Sequence, residues 1–74
     1  MNVFFENDVV RLQKSVKADV IGGDEVFISE GTVGIVVVVY GGYDYPKAYE
    51  VEFFILEHNK FALATVDAGA VIKA

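Results

Sequence analysis

The chain has no cysteine, one histidine and two serines, Ser15 and Ser29. Without cysteine there is no disulfide framework, no thiolate metal site and no thiol nucleophile, so stability has to come from packing. A catalytic base needs a nucleophile and an orienting partner within reach. His58, the only histidine, falls in an expected turn and both serines fall in the first loop, so no triad is proposed and an exposed turn histidine is expected. Cations are also scarce, six Lys and Arg against eleven Asp and Glu for a net charge of −5. Their distribution is uneven: residues 1–18 carry a balance of +1 and residues 19–74 a balance of −6. Nucleic-acid binders draw affinity from neutralising phosphates. Most of this surface repels them, and acidity that maintains solubility is the simpler reading. The N-terminus has neither a basic region nor a long apolar run, so no secretion signal is expected. Together with the missing cysteine this points to a reducing cytoplasm. No apolar run is long enough for a membrane helix.

What is present is valine. The chain holds fourteen valines and only three leucines, with 54% hydrophobic residues over 74 positions. β-Branched side chains lose rotamer freedom in helices and pack well on a pleated surface. The composition therefore predicts an all-β fold in one domain, residues 1–74, with one modest core. The richest segment, Gly31-Thr-Val-Gly-Ile-Val-Val-Val-Val-Tyr40, reads as a central strand closed off by Gly41-Gly42. Strand side chains alternate faces. Val33, Ile35, Val37 and Val39 form one wholly apolar set, assigned here to the core. Thr32, Gly34, Val36, Val38 and Tyr40 form the outer set. An uncharged outer face of this kind needs a cover, either the first loop or another chain.

Around this strand, Val9–Leu12 is a short strand with Val10 and Leu12 inward. Residues 13–30 form a long first loop, a two-legged excursion turning at Gly22-Gly23-Asp24. Residues 41–47 are a turn in which Pro46 ends pairing. Ala48–Phe53 alternates cleanly, Tyr49, Val51 and Phe53 against Glu50 and Glu52. Phe54–Leu56 extends it through a bulge. A hairpin turn over 57–60, a strand over 61–66, a turn or short helical turn over 67–69 and a strand over 70–72 complete the chain. Five strands with a long first connection describe a small SH3-like barrel.

Asp8-Val-Val-Arg-Leu12, Gly31-x-Val-Gly-x-Val-Val-x-Val-Tyr40, Tyr49-Glu-Val-Glu-Phe53 and Ala62-Leu-Ala-Thr-Val66 resemble a bacterial family of small SH3-like barrel proteins of unknown function. A looser similarity reaches the barrel of the nitrile hydratase β-subunit and the peripheral barrel subunit of photosystem I. The resemblance implies a barrel that acts as a subunit or docking module, with no catalytic residue or cofactor of its own. The chain departs from that pattern in its longer first loop and in Val38, a position often polar or charged in the relatives.

Four features are candidates for a site. Tyr40, Tyr43, Tyr45 and Tyr49 bracket the 41–47 turn and could line a groove for an extended peptide. The plainer reading pairs Tyr40 with Tyr49 across a hairpin and leaves the other two at its tip. Glu50 and Glu52 share a strand face, but a calcium site needs six or more oxygens, so a solvated face is the expectation. Gly31 and Gly34 lack the helix that a phosphate cradle requires and fit a left-handed turn and a tight bend. Phe4, Phe5, Val36, Val38 and Phe54 make up the candidate interface. They suggest a non-enzymatic protein-protein interaction module, self-associating as a dimer through the valine-rich face. The alternative is a regulatory or antitoxin-like accessory subunit that binds a protein encoded nearby. No metal, cofactor, nucleic acid or membrane partner is expected.

Overall fold

The structure is a computed structural model that describes residues 3–74, so the first two positions of the predicted domain lie outside the described residues. Seven strands run in chain order: β1 (Val9–Leu12), β2 (Val16–Val20), β3 (Glu25–Ile28), β4 (Val33–Gly41), β5 (Pro46–Ile55), β6 (Lys60–Asp67) and β7 (Val71–Lys73). They form one antiparallel sheet in the order β3-β2-β6-β5-β4-β1-β7. The sheet curls around its core without closing, because β3 and β7 pair only with β2 and β1. The result is an open half-barrel of 35 × 20 × 17 Å. This corrects the expectation of a closed, five-stranded SH3-like barrel.

The first excursion accounts for both differences. Residues 13–30 are not a loop: Val16, Ala18 and Val20 alternate with Lys17 and Asp19, the period of a half-buried strand. The reversal into β3 uses Gly22 and Gly23, both at positive φ, where a side chain would be strained. This hairpin joins the end of the sheet through Asp19↔Leu63 and Val20↔Ala62. It extends the sheet beside β6 and buries Ala18, Val20 and Ile28, with β6 and β5 between it and β4.

The inward face of β4 is also the reverse of the one expected. Gly34 and Val36 point into the core, while Val33 and Ile35 are exposed. The cause lies across the strand pair. Ile35 lies opposite Glu52, which places Gly34 opposite Phe53. A Cβ on Gly34 would sit 2.7 Å from two ring carbons of Phe53 and from Val51 Cγ1. The glycine is the space that the Phe53 ring fills, an aromatic covering a strand glycine. A bulge between Val36 and Val38 then resets the phase. Val39 returns to the core opposite Tyr49, and Val38 faces outward opposite Glu50. Of the four residues assigned inward, only Val39 packs on the core, with Val37 half-buried.

β5 keeps its register against β6 as far as Ile55↔Lys60, so the bulge expected at 54–56 is on β4 instead. Pro46 opens β5 opposite Gly41, a first-residue position that needs no ladder donor. The Phe53↔Ala62 and Val51↔Ala64 pairs set large side chains against small ones, which lets the layers interdigitate. The strap before β1 closes over this core. Phe4 is buried and donates its amide to the Tyr49 hydroxyl at 3.1 Å, with the two rings edge-to-face at 5.8 Å. The Asp8 carboxylate holds the Phe5 amide at 2.8 Å, and the strap bonds to both backbone groups of Val36.

Candidate functional site: the outer sheet face

The cross-strand register builds the outer face row by row. One row runs Val9, Ile35, Glu52, Leu63 and Asp19 across β1, β4, β5, β6 and β2. A second carries Phe54 opposite Phe61, whose rings meet edge-to-face at 5.1 Å. A third sets Val38, Glu50 and Thr65 side by side. Val33 and Ile72 flank Arg11 at the β7 end. Each of Val9, Val33, Ile35, Val38, Phe54, Phe61 and Ile72 keeps between 37% and 48% of its surface in solvent. Single exposed apolar residues are ordinary, but contiguous apolar patches on monomers are small and often functional.

Two carboxylates interrupt this surface. Glu50 accepts the Thr65 hydroxyl at 2.5 Å and the Tyr40 hydroxyl at 3.4 Å. The negative charge of Glu50 beside it, with partial burial and this hydrogen bond, holds the Tyr40 phenol above its ordinary range. Glu52, half-buried between Ile35 and Leu63, has no hydrogen-bond or ion-pair partner among the described residues. No group of three or more His, Cys, Asp or Glu is placed to hold a metal ion among the described residues.

The four tyrosines do not gather into one groove. Tyr49 is fully buried in the core, and Tyr40 lies on the outer face with Glu50. Tyr43 stacks on Phe5 at 5.4 Å and donates its hydroxyl to the Glu6 carboxylate at 2.9 Å. That hydrogen bond, reinforced by the carboxylate's charge, raises the Tyr43 phenol pKa. Tyr45 stands 78% exposed at the tip. Tyr43 therefore pins the turn to the N-terminal strap.

The candidate interface set divides in the same way. Val38 and Phe54 are on the outer face, Val36 and Phe4 are in the core, and Phe5 is on the strap against Tyr43. Sequence reasoning missed Val9, Val33, Ile35, Phe61 and Ile72. The signal that could have found Val33 and Ile35 is a glycine within a valine strand facing an aromatic across the pair. His58 lies exposed in a 3-10 turn at Leu56–His58, and Gly31 takes the left-handed conformation expected of it at φ 89°.

Two open clefts flank the sheet. One, of about 430 Å³, is lined by the strap and the β7 end, including Phe4, Asp8, Val9 and Lys73. The other, of about 270 Å³, lies between β3 and the 3-10 turn that follows β5. Among the described residues no helix is long and apolar enough to cross a membrane. Compared with protein-family models, curated proteins and solved structures, the chain matches none, so no relative anchors the resemblance drawn from its motifs.

Proposed function

We propose that the chain is a non-enzymatic protein-docking module that pairs with a second copy of itself through the outer face of β1, β4 and β5. The observation that supports this reading is the set of exposed apolar residues Val9, Ile35, Val33, Val38 and Phe54, interrupted by Glu50 and Glu52, on a sheet whose other side already forms the core. A sheet with two apolar faces is characteristic of an element packed on both sides. The first excursion, which could have covered these residues, joins the sheet beside β6 instead. A twofold stacking of two such faces is the simplest closed arrangement.

A second reading is favoured by Glu52. An unpaired carboxylate in an apolar row, on a chain of net charge −5, suits a basic protein partner and makes the chain an accessory subunit. A cytoplasmic setting, in line with the absence of cysteine, belongs to both readings.

Ile35→Lys separates these ideas from misfolding. The new ammonium lies directly opposite Glu52, a favourable cross-strand pairing, so the fold is retained. Sedimentation equilibrium of the parent chain should give a dimer mass that falls to the monomer in Ile35→Lys, which should still unfold cooperatively but at a Tm that no longer depends on protein concentration. A parent chain that stays monomeric up to millimolar concentration rejects self-association.

A further inference from the structure

The half-barrel has two free edges, and they differ in protection. At the β7 edge Lys73 supplies a charge of the kind that discourages strand pairing. The β3 edge is bordered by grease: Phe27 and Leu56, which both line the cleft beside it, are 76% and 79% exposed, among the most exposed large hydrophobic residues described.

The ladder shows which backbone groups this edge offers. Val20 donates to the Asp24 carbonyl at 2.7 Å, and the β2–β3 register runs Val16↔Ile28 to Asp19↔Glu25. Hydrogen-bonded pairs alternate along antiparallel strands. Val26 and Ile28 therefore bond to β2, and the N–H and C=O of Glu25 and Phe27 point away from the sheet. Lys17 lies over the Phe27 ring at 5.9 Å, as expected for the closer, non-hydrogen-bonded pair. Beside the edge opens the cleft of about 270 Å³, whose apolar walls include Val26, Ile28, Phe54 and Leu56.

We propose that β3 is a strand-addition site, independent of the outer-face docking reading. An extended segment of a partner protein pairs antiparallel with Glu25–Ile28, exchanging backbone hydrogen bonds with Glu25 and Phe27 and placing an apolar side chain in the cleft. Charge selects the occupant. Asp24, Glu25 and Glu57 border the edge, Lys17 is already engaged with Glu25 at 3.8 Å, and Lys60 lies at the Gly22 turn. The surplus is acidic, like that of the whole chain. An apolar strand flanked by lysine or arginine complements it, whereas a second copy brings the same acids together. Two four-residue edges also bury far less than the roughly 1,600 Å² of a standard stable interface.

The test is amide hydrogen exchange and amide chemical shifts on the whole isotope-labelled chain. The probe is a short capped peptide alternating valine and threonine between flanking lysines. Saturation should slow exchange at Glu25 and Phe27 about tenfold or more, with shift changes confined to 24–29 and 54–58. Phe27→Pro removes an outward N–H without taking a bond from β2 and should abolish the effect, while Phe27→Thr keeps that N–H and retains it. If Phe27→Pro unfolds the chain, the exchange pattern of the parent chain decides alone. Shifts centred on Ile35 and Glu52, no response at millimolar peptide, or the same slowing produced by protein concentration without peptide would each overturn the proposal. The last of these would assign the edge to a second copy.

Discussion

Replacing Gly34 by alanine lowers the stability of this domain by about 3 kcal/mol, the upper part of the usual cost of overpacking a filled core. By intrinsic preference, alanine in a strand interior is favoured over glycine by about 0.5–1 kcal/mol, so an open site would be stabilised. Here the added methyl would sit 2.7 Å from the Phe53 ring and from Val51, neither of which has solvent to retreat into. For a domain of this size the loss corresponds to a fall in Tm of about 12–24 °C. Shortening the opposing ring in Gly34→Ala/Phe53→Leu should recover part of it, with a coupling of about 1 kcal/mol or more between the two sites. Thermal unfolding of the three variants measures this. A Gly34→Ala protein as stable as the parent would show that β4 does not face the core with its glycine.

Tyr49→Ala has the larger effect, about 4 kcal/mol, in the range for emptying a buried aromatic site. Chains of this length are stable by about 5–10 kcal/mol in total, so the variant sits near the limit of folding. The loss has three parts. The cavity opens opposite Val39 and Val66, the edge-to-face contact with Phe4 disappears, and the Phe4 amide loses its acceptor. Tyr49→Phe isolates the last of these and should cost only about 1 kcal/mol. Denaturant midpoints give the ratio. Because Phe4 anchors the strap, both variants should also speed proteolysis within residues 4–8, with Tyr49→Ala faster. Equal losses for the two substitutions would mean that the hydroxyl, not the ring, secures the strap.

Much of the fold is legible in the chain because period-two alternation survives wherever one face is polar. Tyr49 to Phe53 reads without ambiguity, since Glu50 and Glu52 mark the outer side, and the structure buries the three apolar residues. The strand at 33–41 is legible as a strand but not in its orientation. Both of its faces are valine, and hydrophobicity alone cannot say which is inside. The deciding residue is Gly34, whose reading depends on an aromatic nineteen positions later and on a register fixed only in three dimensions. The bulge at 36–38 compounds this, because it adds one residue and swaps the faces downstream.

The hairpin at 16–28 escaped for a different reason. Its inward residues include alanine, and lysine and aspartate between them give it the composition of a loop. Its Gly22-Gly23 turn was legible, and its two-legged form with it. That it would prolong the sheet instead of folding over it depends on pairing with β6, a contact that no local pattern records. The same missing information hid the site. The outer face of Val9, Val33, Ile35, Phe54 and Phe61 is assembled from four strands by register, and two of its members look like core residues in the sequence.

The absence of native cysteine makes the most direct test available: thiol reactivity of single-cysteine variants at positions 35, 36 and 38, across a range of protein concentration. Val36→Cys should react only as fast as the domain unfolds, at every concentration. Ile35→Cys and Val38→Cys should react promptly in dilute solution and become protected as the concentration rises and the outer faces meet. A reactive Val36→Cys beside a protected Ile35→Cys in dilute solution would invert the sheet. Prompt reaction of Ile35→Cys and Val38→Cys at all concentrations would leave their face without a second copy upon it.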